Sequence, residues 1–266
     1  FTRMRLRFDS GIVAENVHIG DSFNSGGPTL SVASVKLHLD FPAMLQRRLQ
    51  VNGLGLREGK LIWSITTTNA LQLGNIRAEL RFQTNDTWSL DHFRANCAGA
   101  QIYITGELAH ASEAGNWPVF NGGGTNRAAH FSALKNFSDT LQQIHFEGEP
   151  EVRFAVSGDA REVHTIAAQL QAKAIGVRTP WFYARDFQAT AQLTAQDKRL
   201  GNGDASWGFW TNLQPFRIVW STRLGELRSK KYDAENLTCA GMWSAPELMV
   251  TNISARLGDG GIEAGL

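Results

Sequence analysis

This chain of 266 residues has only two cysteines, Cys97 and Cys239, and no excess of either charge, with 26 basic and 25 acidic residues. Two cysteines so far apart make neither a disulfide framework nor a zinc site. They leave one long-range disulfide or two buried free thiols. A formal net charge of +1 gathers no phosphates, which argues against nucleic acid as a partner. No apolar run reaches the eighteen or so residues of a spanning helix. The chain opens on Phe1 without the charged and apolar regions of a signal peptide, and so reads as a piece of something longer.

Motifs for chemistry are also missing. His18, His38, His92, His110, His130, His145 and His164 stand singly, with no H-x-x-x-H or H-E-x-x-H, so no metal site is expected. No G-x-S-x-G elbow occurs, and neither cysteine lies in a nucleophile motif. N-G-G-G-T-N, Asn121 to Asn126, lacks the Lys-Ser/Thr of a phosphate loop, and the helix after it begins R-A-A-H. Glu147, Glu149 and Glu151 could gather carboxylates as an acid/base pair needs, or simply form a solvated turn. These absences point to a protein that is not an enzyme and needs no cofactor.

Alternation of apolar and polar residues, by contrast, is everywhere. Successive side chains on a strand point to opposite sides, so strict alternation marks a strand with one covered face. Met4, Leu6 and Phe8 alternate with arginines, and Val35, Leu37, Leu39 and Phe41 with Lys36, His38 and Asp40. Ile76, Ala78, Leu80 and Phe82 share one face; so do Ile166, Ala168, Leu170, Ala172 and Ala174. The pattern returns at Phe187 to Leu193, at Phe216, Ile218 and Trp220, and at Ile253, Ala255 and Leu257. About a dozen to fifteen strands are predicted, joined by short links rich in Gly, Asn and Asp, hence mainly antiparallel.

Two stretches break the period. P-A-M-L-Q-R-R predicts a short helix over about 42–48. Phe131, Leu134, Leu141 and Ile144 recur at helical spacing and predict an amphipathic helix over about 127–143, lying against the apolar face as a plug or cap. The chain is therefore read as strands over 1–120, a Gly-rich loop and helix over 121–145, and strands over 146–266, the two blocks continuous as one structural domain. At a constant offset of 160, Phe93, Ala95, Cys97, Ile102 and Ile104 fall on Ile253, Ala255, Leu257, Ile262 and Ala264, each set reading strand, Gly-containing turn, strand.

An apolar sheet face must be covered. A second packed sheet, closure into a barrel, or a trough around a greasy ligand would each do so. Alanine packs little surface against its strand neighbours, yet Ala78, Ala95, Ala168, Ala189 and Ala255 sit mid-strand on the covered side. Small residues there would leave a channel. Eight tryptophans, with W-G-F-W at Trp207 to Trp210, offer stacking surfaces for a sugar, or a strand buried on both faces. An outer-membrane barrel fits less well, with only three tyrosines and a helix interrupting the strands.

The segment L-S-V-A-S-V-K-L-H-L-D-F-P-A-M-L-Q-R-R-L-Q-V-N-G-L-G-L-R-E-G-K-L, Leu30 to Leu61, resembles the N-terminal region of the bacterial AsmA-like proteins. V-T-N-I-S-A-R-L-G-D-G-G-I-E-A-G-L, Val250 to Leu266, is similar to the strand-turn-strand units of that family, TamB-type members included. The resemblance covers about half the chain and lacks the family's N-terminal membrane anchor. It implies a periplasmic protein, anchored to the inner membrane in full-length form, whose curved β-groove carries phospholipid acyl chains toward the outer membrane. The expected lining is Leu37, Leu39, Ala78, Leu80, Phe82, Ala95, Ala168, Leu170, Phe187, Ala189, Ile253 and Ala255. The implied partners are phospholipid, the inner membrane and other envelope proteins. A ligand-free packed scaffold in envelope assembly and a sugar-binding β protein remain the alternatives.

Overall fold

The computed structural model describes residues 1–7, 11–20, 28–64, 70–116, 143–195, 216–244, 247–258 and 260–265. The predicted helix over 127–143 lies almost wholly, and W-G-F-W wholly, outside them. The described chain is all-β and antiparallel, and it divides into two compact units, Phe1–Leu141 and Gln142–Leu266.

The first unit is a meander of seven strands, each paired with the next: β1 (Arg3–Arg7), β2 (Gly11–Ile19), β3 (Pro28–Leu39), β4 (Val51–Ser64), β5 (Ala70–Phe82), β6 (Trp88–Cys97) and β7 (Ala100–Ala109). The second contains β8 (His145–Glu147), β9 (Glu151–Asp159), β10 (Glu162–Arg178), β11 (Phe182–Ala195), β12 (Phe216–Ser229), β13 (Asp233–Ser244), β14 (Glu247–Leu257) and β15 (Gly260–Ala264). Strands β8 and β9 pair with successive parts of β10, and the rest follow as a meander.

The short predicted helix is present as α1 (Phe41–Leu45), between β3 and β4. The Asp40 carboxylate caps it by accepting from the Ala43 N–H at 3.2 Å, and Pro42 fits the first turn, where no N–H partner is needed. It stops short of 48 because Arg47 takes a left-handed φ of 60°. Only Ala43 is buried, while Leu45 and Leu49 face solvent.

Many pairs set apolar residues opposite apolar residues, but not by one unbroken alternation. In β2 the apolar positions run Ile12, Ala14, then Val17, Ile19; in β4, Leu54, Leu56, then Gly59, Leu61; in β5, Leu71, Leu73, then Ile76, Ala78. The phase slips by one residue each time. At the slips sit Asn16, Glu58 and Asn75, with φ between 52° and 54°. At Glu58 and Asn75 the pairing also shifts by one residue, as in a bulge, whereas the β2–β3 register runs unbroken past Asn16. The slips line up across the first unit, since β3 passes from Val32 to Val35 at the same level. In the second unit Asp186 on β11 and Asn236 on β13 are left-handed, at φ 54° and 52°, with Gly225 between them on β12. A Cβ on Gly225 would meet the Asp186 carboxylate at 2.8 Å, so a larger residue there would push that side chain aside. Each unit therefore carries a transverse line of left-handed residues, with a register shift beside Asn236 in the second.

The hairpins β6–β7 and β14–β15 share one register. Ala95 faces Ile102 as Ala255 faces Ile262, and Phe93 faces Ile104 as Ile253 faces Ala264. The offset of 160 is thus a structural correspondence. In the first hairpin Ala98 and Gly99 both have positive φ, the tight turn whose twist matches its strands.

Candidate functional site

Cross-strand partners point to the same side of a sheet, so the registers define rows of side chains running across each unit. In the first unit one row is Met4, Ala14, Val35, Leu56, Ala78, Phe93 and Ile104. The next is Leu6, Ile12, Leu37, Leu54, Leu80 and Leu90. Apart from the exposed Met4 and Leu6 of β1, all of these side chains are half-buried. Their sequence neighbours Arg77, Glu79, Arg81, His92 and Arg94 are exposed on the other side.

The second unit repeats the arrangement with different residues. Val156, Ala168, Leu193, Ile218, Trp243 and Leu248 form one row. Phe154, Leu170, Ala191, Trp220, Gly241 and Val250 form the next. Here small and large residues alternate for a visible reason. A Cβ on Gly241 would meet the Trp220 indole at 2.6 Å and the Met249 carbonyl oxygen at 2.4 Å, so the glycine seats the ring. A filled sandwich core would bury side chains of this size outright. In these rows most are half-buried, and Phe154 and Leu248 are exposed.

The residues expected to line a groove fall as follows. Leu37 and Leu80 share a row, separated by Leu54, and Ala78 belongs to the row beside them. Leu39 is buried opposite Val51, and the Phe82 ring packs on Trp88 with centroids 5.4 Å apart. Ala95, opposite Ile102, is completely buried. In the second unit Ala168 and Leu170 lie in the two rows named, Ala189 faces Ala172, and Phe187 faces Ala174. Ile253 faces Cys239, and Ala255 faces Ile262. The five mid-strand alanines thus sit in separate rows rather than forming one line, and Ala189 has another alanine, Ala172, on one side.

The expected lining left out the row partners Leu54, Leu56, Leu193 and Val156, although alternation alone puts Leu193 on the apolar face with Phe187, Ala189 and Ala191. It also missed a cleft of about 470 Å³ on the polar side of the first unit. Gly53 and Gly55 on β4 strip that side of side chains, and the His38 ring lies over them. Arg7, Lys36, Arg57, Glu79 and His92 complete the walls. The alternating glycines of V-N-G-L-G-L were its signal. A second cleft of about 310 Å³ lies on the polar side of the other unit, between Gln188, Thr190, Ser221, Arg223, Thr238 and Asn252. The Thr190 and Ser221 hydroxyls bond at 2.8 Å within it.

Several charged groups are committed to structure. Asp91 pairs with Arg81, and that hydrogen bond holds the Asp91 carboxyl below the ordinary range. Glu147 accepts from Arg178 at 3.3 Å and from the Tyr183 hydroxyl at 3.0 Å, which raises the phenol's pKa. Glu151 pairs with Arg153, so the acidic run is drawn onto cations and a phenol rather than into a carboxylate pair. Cys97 and Cys239 are free and half-buried, and burial pushes the Cys97 thiol up.

No family model, curated protein or solved structure matches the chain. Function must be read from the geometry. Among the described residues no helix is long and apolar enough to cross a membrane, and no three His, Cys, Asp or Glu residues are placed to hold a metal ion.

Proposed function

We propose that the chain is a non-enzymatic lipid-holding segment of AsmA-like type. The apolar side of each unit forms a trough for acyl chains, and the polar side faces water. The observation that carries this reading is the pair of apolar rows crossing each unit while remaining half-buried. An acyl tail of about sixteen carbons left in water costs on the order of 10 kcal/mol, at roughly 0.8 kcal/mol per methylene. Half-buried leucines, valines and aromatics along a row would offset much of that cost. They would also gain the cover they lack. The bulges beside Glu58, Asn75 and Asn236 support the reading, because a bulge bends its strand and so helps a sheet to curve.

On this proposal the protein works in the periplasm, tethered to the inner membrane, with phospholipid as its ligand and envelope proteins as partners. The repeated rows suit movement of lipid, since many similar weak seats let a chain advance. The test is native mass spectrometry with lipid extraction on protein expressed in the bacterial periplasm, alongside the double variant Ala78→Trp and Ala168→Trp. Each indole would lie across a row. Phospholipid on the wild type and its loss from the folded variant are expected. A lipid-free wild type would instead favour a packed scaffold.

A further inference from the structure

At one end of the second unit two hairpin turns stand side by side, because Phe182 on β11 pairs with Ser229 on β12. They are T-P-W-F, Thr179 to Phe182, joining β10 to β11, and S-K-K-Y, Ser229 to Tyr232, joining β12 to β13. Both are built the same way. The Thr179 hydroxyl accepts from the Trp181 and Phe182 N–H groups and donates to the Phe182 carbonyl. The Ser229 hydroxyl accepts from the Lys231 and Tyr232 N–H groups and donates to the Tyr232 carbonyl. In each turn the backbone N–H of the first residue also closes onto the carbonyl of the fourth, at 2.9 Å.

These staples fix the chain so that large rings point outward. Trp181 is 62% exposed and Tyr232 69% exposed, on a tip where nothing obliges a ring to face water. Between the turns lies an open cleft of about 630 Å³, lined by Pro180, Trp181, Phe182, Arg178, Arg228 and Lys230 among others. Arg178 and Arg228 are engaged by Glu147 and Glu226. Lys230 and Lys231 have no ion pair among the described residues, and neither turn contains a carboxylate. Asp233 is the nearest acidic residue in sequence, level with Arg228 across the pair.

Exposed Trp and Tyr rings beside unpaired lysines are the chemistry of a membrane interface. The rings have an apolar body and a polar edge that suit the headgroup layer, and the lysines meet anionic lipid phosphates. With strands about 4.8 Å apart, the turns stand roughly 10 Å from each other, so both can enter one surface together. We infer that these paired turns dock the second unit onto an anionic lipid bilayer. This goes beyond the trough proposal and does not depend on it.

The test is co-sedimentation of the intact chain with phosphatidylcholine vesicles, with and without about one-third phosphatidylglycerol. The expected result is binding to the anionic vesicles that falls as salt rises. Trp181→Ser with Tyr232→Ser, and separately Lys230→Glu with Lys231→Glu, should each weaken it about tenfold or more. All four side chains are exposed, so unfolding is not expected, and circular dichroism checks it. Lipid carried by the same protein is measured separately by extraction after the vesicles are removed, which separates failure of this inference from failure of the trough. A wild type that ignores anionic vesicles would overturn the proposal, as would binding that both tip variants retain in full.

Discussion

Single residues set where each strand bends. Asn75 sits inside β5 at a left-handed φ of 52°, a conformation that asparagine tolerates and a β-branched residue does not. Asn75→Val should therefore destabilise the protein by about 1–3 kcal/mol, while Asn75→Gly should be close to neutral. Urea unfolding of the two variants checks this; equal losses would mean that the side chain, not the backbone, matters there. Asp91 gives a pH prediction. The hydrogen bond from Arg81 depresses its folded pKa, so its contribution is present above the unfolded value of about 3.9 and is lost as pH falls through the folded one. Asp91→Asn should then lower the urea midpoint at pH 7, and the gap from wild type should shrink as pH falls below about 3.9. A gap that does not shrink with acid would show that charge is not its source.

At the level of strands, the sequence announces the fold well and its bends poorly. Polar-apolar alternation is a direct image of a one-sided sheet, so the all-β antiparallel class, the short helix after Asp40 and the matched hairpins at offset 160 could all be read from it. Alternation also suggests that one phase holds from end to end. It does not: in β5 the pattern crosses from Leu73 to Ile76, and the extra residue is stored at Asn75. A three-residue step between apolar positions, with Asn, Asp or Gly beside it, was the available sign. Alanine positions misled in a similar manner, because a sequence shows that a residue is small but not what fills the space above it. Gly241 shows the point most sharply, since the Trp220 ring and the Met249 carbonyl occupy its Cβ position. Gly241→Ala should destabilise by about 1–3 kcal/mol, and Trp220→Phe should not fully rescue it, because the carbonyl clash remains. Full rescue would place the whole conflict in the indole.

At the scale of the molecule, the two compact units each carry their own apolar rows, built from different residues to the same pattern. If both hold acyl chains, as proposed, the units should load separately. Distant changes without shared partners add, whereas changes acting on one ligand do not. Ala78→Trp alone should remove roughly the lipid share of the first unit, Ala168→Trp alone that of the second, and the double variant both. Quantitative lipid extraction from the three folded variants and the wild type reads this directly. Should either single variant empty the protein, the units do not hold lipid independently, and a model of many equivalent seats fails. If the losses add, the repeated strand type has a physical use: each unit offers the same shallow, greasy surface, and none binds tightly enough to trap what it carries.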